Sequence, residues 1–154
     1  MTFYLAALLL GVIAGLRAVT PVAAVSWAAS LGILKLTGTP LAFLGAMAAP
    51  WIVSAMAVGE LINDKLPKTP SRKAPVAFGA RIASGGLAGA AVGLSMGALI
   101  PGLVLGAVGA VIGTLGGAWA RGKLAAAFGR DLPAALTEDL VAVGGAALIV
   151  CCLL

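Results

Sequence analysis

Two arginines stand inside otherwise apolar stretches, in matching contexts. Gly15-Leu16-Arg17-Ala18-Val19-Thr20-Pro21 and Gly79-Ala80-Arg81-Ile82-Ala83-Ser84-Gly85 share the pattern G-x-R-x-x-[S/T]-[P/G]. An ionised side chain in a membrane segment is costly and faces a partner, a cavity or the interface. As chemistry, the pair would attract an anion. Arg17 and Arg81 supply charge, and Thr20 and Ser84 supply hydroxyls. The backbone around Pro21 and Gly85-Gly86 supplies freed N–H groups, since broken helices commonly build such sites. The same arginines also suit two plainer roles. They can snorkel to lipid phosphate, or pair with a membrane acid and hold the fold together.

Glu60 and Asp64 are the acids available for that pairing. Four residues apart, they share one face of a helix. They could bind a cation or relay a proton. An ion pair with an arginine, or solvation at the interface, is the reading favoured by the surplus of bases nearby. The loop from Lys65 to Lys73 could hold an anionic lipid head group or act only as a topology determinant.

No constellation points to an enzyme. The sequence has no histidine, which removes the commonest general base and the commonest metal ligand. A lysine-assisted serine stays open as a nucleophile. Cys151 and Cys152 are adjacent, which suits neither an ordinary structural disulfide nor a zinc site. The Walker, GxSxG, HExxH and CxxC patterns are missing. No catalytic residue, metal or cofactor is therefore expected.

The elements that carry these residues are membrane helices. The chain has 154 residues, of which 62% are hydrophobic and only 10% charged, where a soluble domain carries about 25% charged residues. Too little polar surface remains to cover a water-soluble globule. The 22 glycines suit close helix approach in lipid. A β-barrel would show alternating segments with aromatic girdles. The net charge of +5 sits in short loops, where it sets topology, so nucleic acid is not an expected partner.

Five apolar regions stand out: residues 2–34, 41–62, 74–99, 101–120 and about 138–154. They predict an all-α membrane protein with about five transmembrane helices in a single domain. The first region is long for one span and short for two. Pro21 favours a break in it, so residues 2–34 form either one kinked span or a re-entrant first helix. Its apolar start resembles a signal-peptide core, but no Lys or Arg precedes it, and it reads as mature protein. Residues 121–137 read as a loop, with Asp131 capping a short helix near Pro133. Glu138 and Asp139 would then open the last span, where acids suit a helix N-terminus. Most Lys and Arg fall in this loop and in the loop around residues 63–73. The positive-inside rule puts both in the cytoplasm, with two spans between them. Trp27, Trp51, Trp119 and Tyr4 suit interface anchors.

The two arginine motifs suggest a duplication. Repeats at 14–70 and 78–137, followed by a closing helix at 138–154, would align Gly59-Glu60-Leu61 with Gly122-Lys123-Leu124. Gly85, Gly89, Gly93 and Gly97 recur every four residues, as do Gly109, Gly113 and Gly117, with Gly102 and Gly106 on a neighbouring row. Such stripes predict a tight pair of helices, within one copy or across a homo-oligomer. A narrow conduit lined by backbone is the alternative.

Several segments also resemble a known family. Gly15-Leu16-Arg17-Ala18, Thr20-Pro21, Ser26-Trp27-Ala28-Ala29, Gly38-Thr39-Pro40-Leu41-Ala42-Phe43-Leu44-Gly45 and Lys65-Leu66-Pro67-Lys68-Thr69-Pro70-Ser71-Arg72 resemble an uncharacterised bacterial integral-membrane family, domain of unknown function 4126. Gly79-Ala80-Arg81-Ile82 and Gly113-Thr114-Leu115-Gly116-Gly117 fit as well. The resemblance implies a multi-pass protein of the bacterial inner membrane and carries no activity or site residue with it. The functional expectation is a transporter or channel for a small anionic solute, built as a homo-oligomer, with Arg17, Thr20, Arg81 and Ser84 binding the solute. A non-transporting scaffold or lipid-binding protein is the alternative, with membrane lipids as partners.

Overall fold

The computed structural model describes residues 1–65 and 74–154. The basic loop at residues 66–73, with its suggested lipid contacts, lies outside the described residues. Six α-helices follow in order: α1 Thr2–Leu16, α2 Thr20–Ser30, α3 Ala49–Asn63, α4 Pro75–Leu94, α5 Leu99–Phe128 and α6 Asp131–Leu153, with a 3-10 turn at Ala42–Gly45 before α3.

The all-helical membrane fold stands, but the expectation of five spans does not. Among the described residues, three helices, α4, α5 and α6, are long and apolar enough to cross a membrane. At 1.5 Å per residue, the 15-residue α1 and α3 rise only roughly 22 Å, and the 11-residue α2 roughly 16 Å. A hydrocarbon core is about 30 Å thick. The first two apolar regions therefore hold no helix of full spanning length. Hydropathy reports the length of an apolar run, and these runs are interrupted at residues 17–19 and by largely irregular backbone at residues 31–48. That segment folds against α2, where Leu34, Leu36 and Leu44 are buried and Ser26 Oγ donates to the Leu44 carbonyl at 2.6 Å.

The boundaries around the second basic stretch also differ from expectation. Helix α5 does not stop at residue 120 but runs on through Arg121 and Lys123 to Phe128. Gly129, at φ 67°, then turns the chain in the left-handed region that suits glycine. Helix α6 starts at Asp131 itself, with no side-chain cap. Glu138 and Asp139 thus lie two turns inside α6, not at its start. Charged residues interrupt this stretch, but Leu124 to Phe128 and Leu132 to Leu136 are rich in Ala and Leu, which carry strong helix propensity.

The chain reverses at the first helix break. Ile13 of α1 packs at Gly145 of α6. Thr20 and Trp27 of α2 lie along Val143 to Cys151 of the same helix. Helix α1 therefore approaches the break beside α6, and α2 leaves it beside α6 too. Residues 2–30 therefore form a helical hairpin at this break and not one kinked helix.

Glycine sets the packing of α1, α4 and α5. A Cβ on Gly106 would sit 2.1 Å from the Gly85 carbonyl oxygen, and one on Gly89 would sit 2.2 Å from that of Gly102. On the other face, a Cβ on Gly11 would meet the Gly106 oxygen at 2.2 Å. The backbones touch where no side chain intervenes, as small residues allow in membrane helix pairs. Helices α5 and α6 carry exposed Leu103, Val104, Ile112, Leu140 and Leu148, large apolar side chains of the kind that meet lipid.

Candidate functional site

The site is built on the break between α1 and α2. Pro21 lies in the first turn of α2, where its missing N–H costs little. Inside a continuous helix it would clash with the carbonyl of Arg17. Arg17 accordingly adopts an extended backbone (φ −140°, ψ 114°) and closes α1 through its N–H to the Ile13 carbonyl at 2.8 Å.

Two bare helix ends result, each covered by a side chain of opposite charge. At the C-terminus of α1, Arg81 Nη1 donates to the carbonyls of Gly15 at 2.9 Å and Leu16 at 2.7 Å. At the N-terminus of α2, the Glu60 carboxylate accepts from the Ala18 N–H at 2.7 Å and the Val19 N–H at 2.8 Å, one oxygen each. Both signs match the helix dipole, negative at a C-terminus and positive at an N-terminus. Ser84 Oγ donates to the Ala18 carbonyl, which ties α4 to the connecting residues.

Arg17 itself is fully buried and spans two acids. Its Nε donates to Asp139 Oδ1 at 2.7 Å, and its Nη1 bonds Asp64 Oδ2. Nη2 also faces Asp139 Oδ1 but lies off the hydrogen-bond direction. Lys65 Nζ approaches Asp139 Oδ2 at 2.6 Å, and Arg81 Nη2 lies 3.9 Å from Asp64 Oδ2. Arg17, Lys65 and Arg81 thus face Glu60, Asp64 and Asp139, and formal charge balances. Charges taken out of water need this arrangement, because desolvation is recovered only by close pairing.

A second ion-pair group lies farther out. Arg121 holds Asp131 through Nε at 2.9 Å and Nη2 at 2.5 Å, with Glu138 Oε2 at 3.5 Å from Nη1. All five acids of the sequence therefore meet a base or a helix N-terminus.

The structure brings five of the six residues singled out in the sequence, Arg17, Arg81, Ser84, Glu60 and Asp64, into direct contact around one helix break. Thr20 is placed differently. It is only 7% exposed and its Oγ1 has no hydrogen-bond partner. With Leu61, the neighbour of Glu60, it lines one end of an apolar cavity of about 490 Å³ between α2, α3 and α6. At the other end, Trp27 Nε1 donates to Ser54 Oγ at 3.0 Å, and Trp27 packs edge-on against Trp51 with centroids 5.1 Å apart.

Sequence reasoning missed Asp139 and Lys65 as members of the cluster. The available signal was two adjacent acids, Glu138 and Asp139, in an apolar helix facing a basic end. The contact between Lys65 and Asp139 brings the residues after α3 against α6, two turns from its start.

Comparison with known proteins yields no similarity to report: no protein-family model, no curated protein and no solved structure matches the chain.

Proposed function

We propose that this is a multi-pass protein of the bacterial inner membrane that transports a small anionic solute, with the α1–α2 break as the binding position. One observation carries the reading. A carboxylate, that of Glu60, is seated on the N–H groups of Ala18 and Val19 at the entry to the short helix α2, and half-helix N-termini receive anionic substrate groups in transporters. The solute would displace Glu60 and meet Arg17, Thr20, Arg81 and Ser84 around the break. Close contact of α1, α4 and α5 leaves no passage between them, so the proposal includes a homo-oligomer. The motif resemblance to domain of unknown function 4126 agrees with this placement in a bacterial membrane.

A lipid-binding scaffold is the second reading, favoured by the apolar cavity between α2, α3 and α6. Flux from proteoliposomes containing the purified protein, screened over small anions and cations, separates the two. Transport predicts anion flux that falls in the Ser84→Ala variant. Folded protein with no flux for any ion would remove the transport reading and leave lipid binding.

A further inference from the structure

Glu60 and the apolar cavity adjoin, and together they define a ligand class. The two N–H groups held by Glu60 belong to Ala18 and Val19. The next residue, Thr20, is more than nine-tenths buried, and its hydroxyl is unpartnered at the end of the cavity. A buried hydroxyl without a partner is destabilising, so a chain that keeps one there leaves a donor for something else. Beyond Thr20 the cavity wall is Ala23, Ala24, Trp27, Ala57, Val58 and Val143, with Ser54 at the far end.

We propose that this site takes an alkyl monocarboxylate, of the fatty-acid class, for which Glu60 is the built-in stand-in. The ligand carboxylate replaces that of Glu60 on the Ala18 and Val19 N–H groups and accepts a third bond from Thr20 Oγ1. Its alkyl chain lies in the cavity between α2, α3 and α6. Two donors that take one oxygen each match a planar oxyanion better than a spherical halide. The 11-residue α2 supplies the helix dipole. The apolar wall suits an alkyl tail. The inference rests on the reading that the α1–α2 break is where an anion binds.

The test uses the Glu60→Ala protein in phosphatidylcholine nanodiscs, with octanoate, acetate and octan-1-ol as probes and thermal unfolding as the readout. Octanoate is expected to raise the melting temperature most, acetate less and octanol not at all, with a smaller response in the unaltered protein. Adding Thr20→Val is expected to weaken octanoate roughly tenfold, the worth of one hydrogen bond to a charged acceptor. Equal effects of octanoate and octanol would mean that the cavity takes any alkyl chain, and would overturn the proposal. Equal effects of octanoate and acetate would overturn the tail assignment, and no response to any probe would overturn the site. Glu60→Gln, which keeps the side-chain shape, is read in the same way if Glu60→Ala does not fold. Octanoate binding without flux in proteoliposomes would remove transport and leave this inference standing. Small-anion flux without octanoate binding would do the reverse.

Discussion

The two arginine motifs begin alike and end as opposite structures. Around Arg17 the helix stops, the backbone extends and the chain turns back. Around Arg81 the helix α4 runs on unbroken from Pro75 to Leu94. The last motif residue separates them: Pro21 cannot continue a helix from Arg17, whereas Gly85 can continue one and lets Gly106 and Ala110 of α5 come close. One copy therefore makes the bare helix ends, and the other supplies the cation that covers one of them. A repeated motif need not mean a repeated role.

The sharpest way to break this comparison is to remove each arginine. Arg17→Leu removes the guanidinium that the partly buried Asp64 and Asp139 share, leaving each with one basic neighbour, Arg81 and Lys65, and is expected to cost roughly 3 kcal/mol. Arg81→Leu uncovers two carbonyls of α1 and is expected to cost less, about 1–3 kcal/mol. Thermal unfolding of both variants in detergent, with gel filtration to confirm folding, checks the order. An equal loss would mean that the motifs carry equal charge burdens.

The first glycine of each motif gives the next contrast. A Cβ on Gly15 would lie 2.3 Å from the Thr114 amide nitrogen, while one on Gly79 meets nothing within 4 Å. Gly15→Ala is expected to destabilise by about 1–3 kcal/mol through overpacking against backbone. Gly79→Ala is expected to stabilise by roughly 0.5–1 kcal/mol, because alanine loses less freedom in a helix. The same unfolding experiment reads both signs.

Glu60 tests what the break itself needs. Glu60→Gln keeps one acceptor for the two N–H groups but loses the charge at the α2 N-terminus, for an expected loss of about 0.5–2 kcal/mol. Amide exchange at Ala18 and Val19 should rise in step, and unchanged exchange there would argue against the cap.

The hydroxyls are expected to differ least in size but in sign. Ser84→Ala removes a bond to the Ala18 carbonyl and should cost roughly 0.5–1.5 kcal/mol. Thr20→Val removes an unpartnered hydroxyl and should be neutral or stabilising. A clear loss of stability in Thr20→Val would show that the hydroxyl has a partner in the resting protein.

Much of this was legible in the residues themselves. Low charge and a high apolar content required lipid as solvent. Thr20-Pro21 marked the helix break, because proline acts on its own turn. The intramembrane arginines and the pair Glu60 and Asp64 marked the site, because charge in an apolar run needs a partner wherever that partner is. The glycine rows marked the faces where helices touch, because side-chain size is a local property.

Other features depended on which elements meet. That the chain turns back at Arg17 follows from α1 and α2 both lying along α6. That Asp139, two turns inside α6 and 122 residues from Arg17, completes the buried pair is a fact of helix packing. The count of full-length spans fell because residues 31–48 fold back on α2, which hydropathy registers only as more apolar chain. Sequence determined that charges would be buried and that one helix would break, since both are costs paid within a few residues. Tertiary structure alone decided which charge answers which, since the energy of a buried ion pair depends on distances set by helices far apart in the chain.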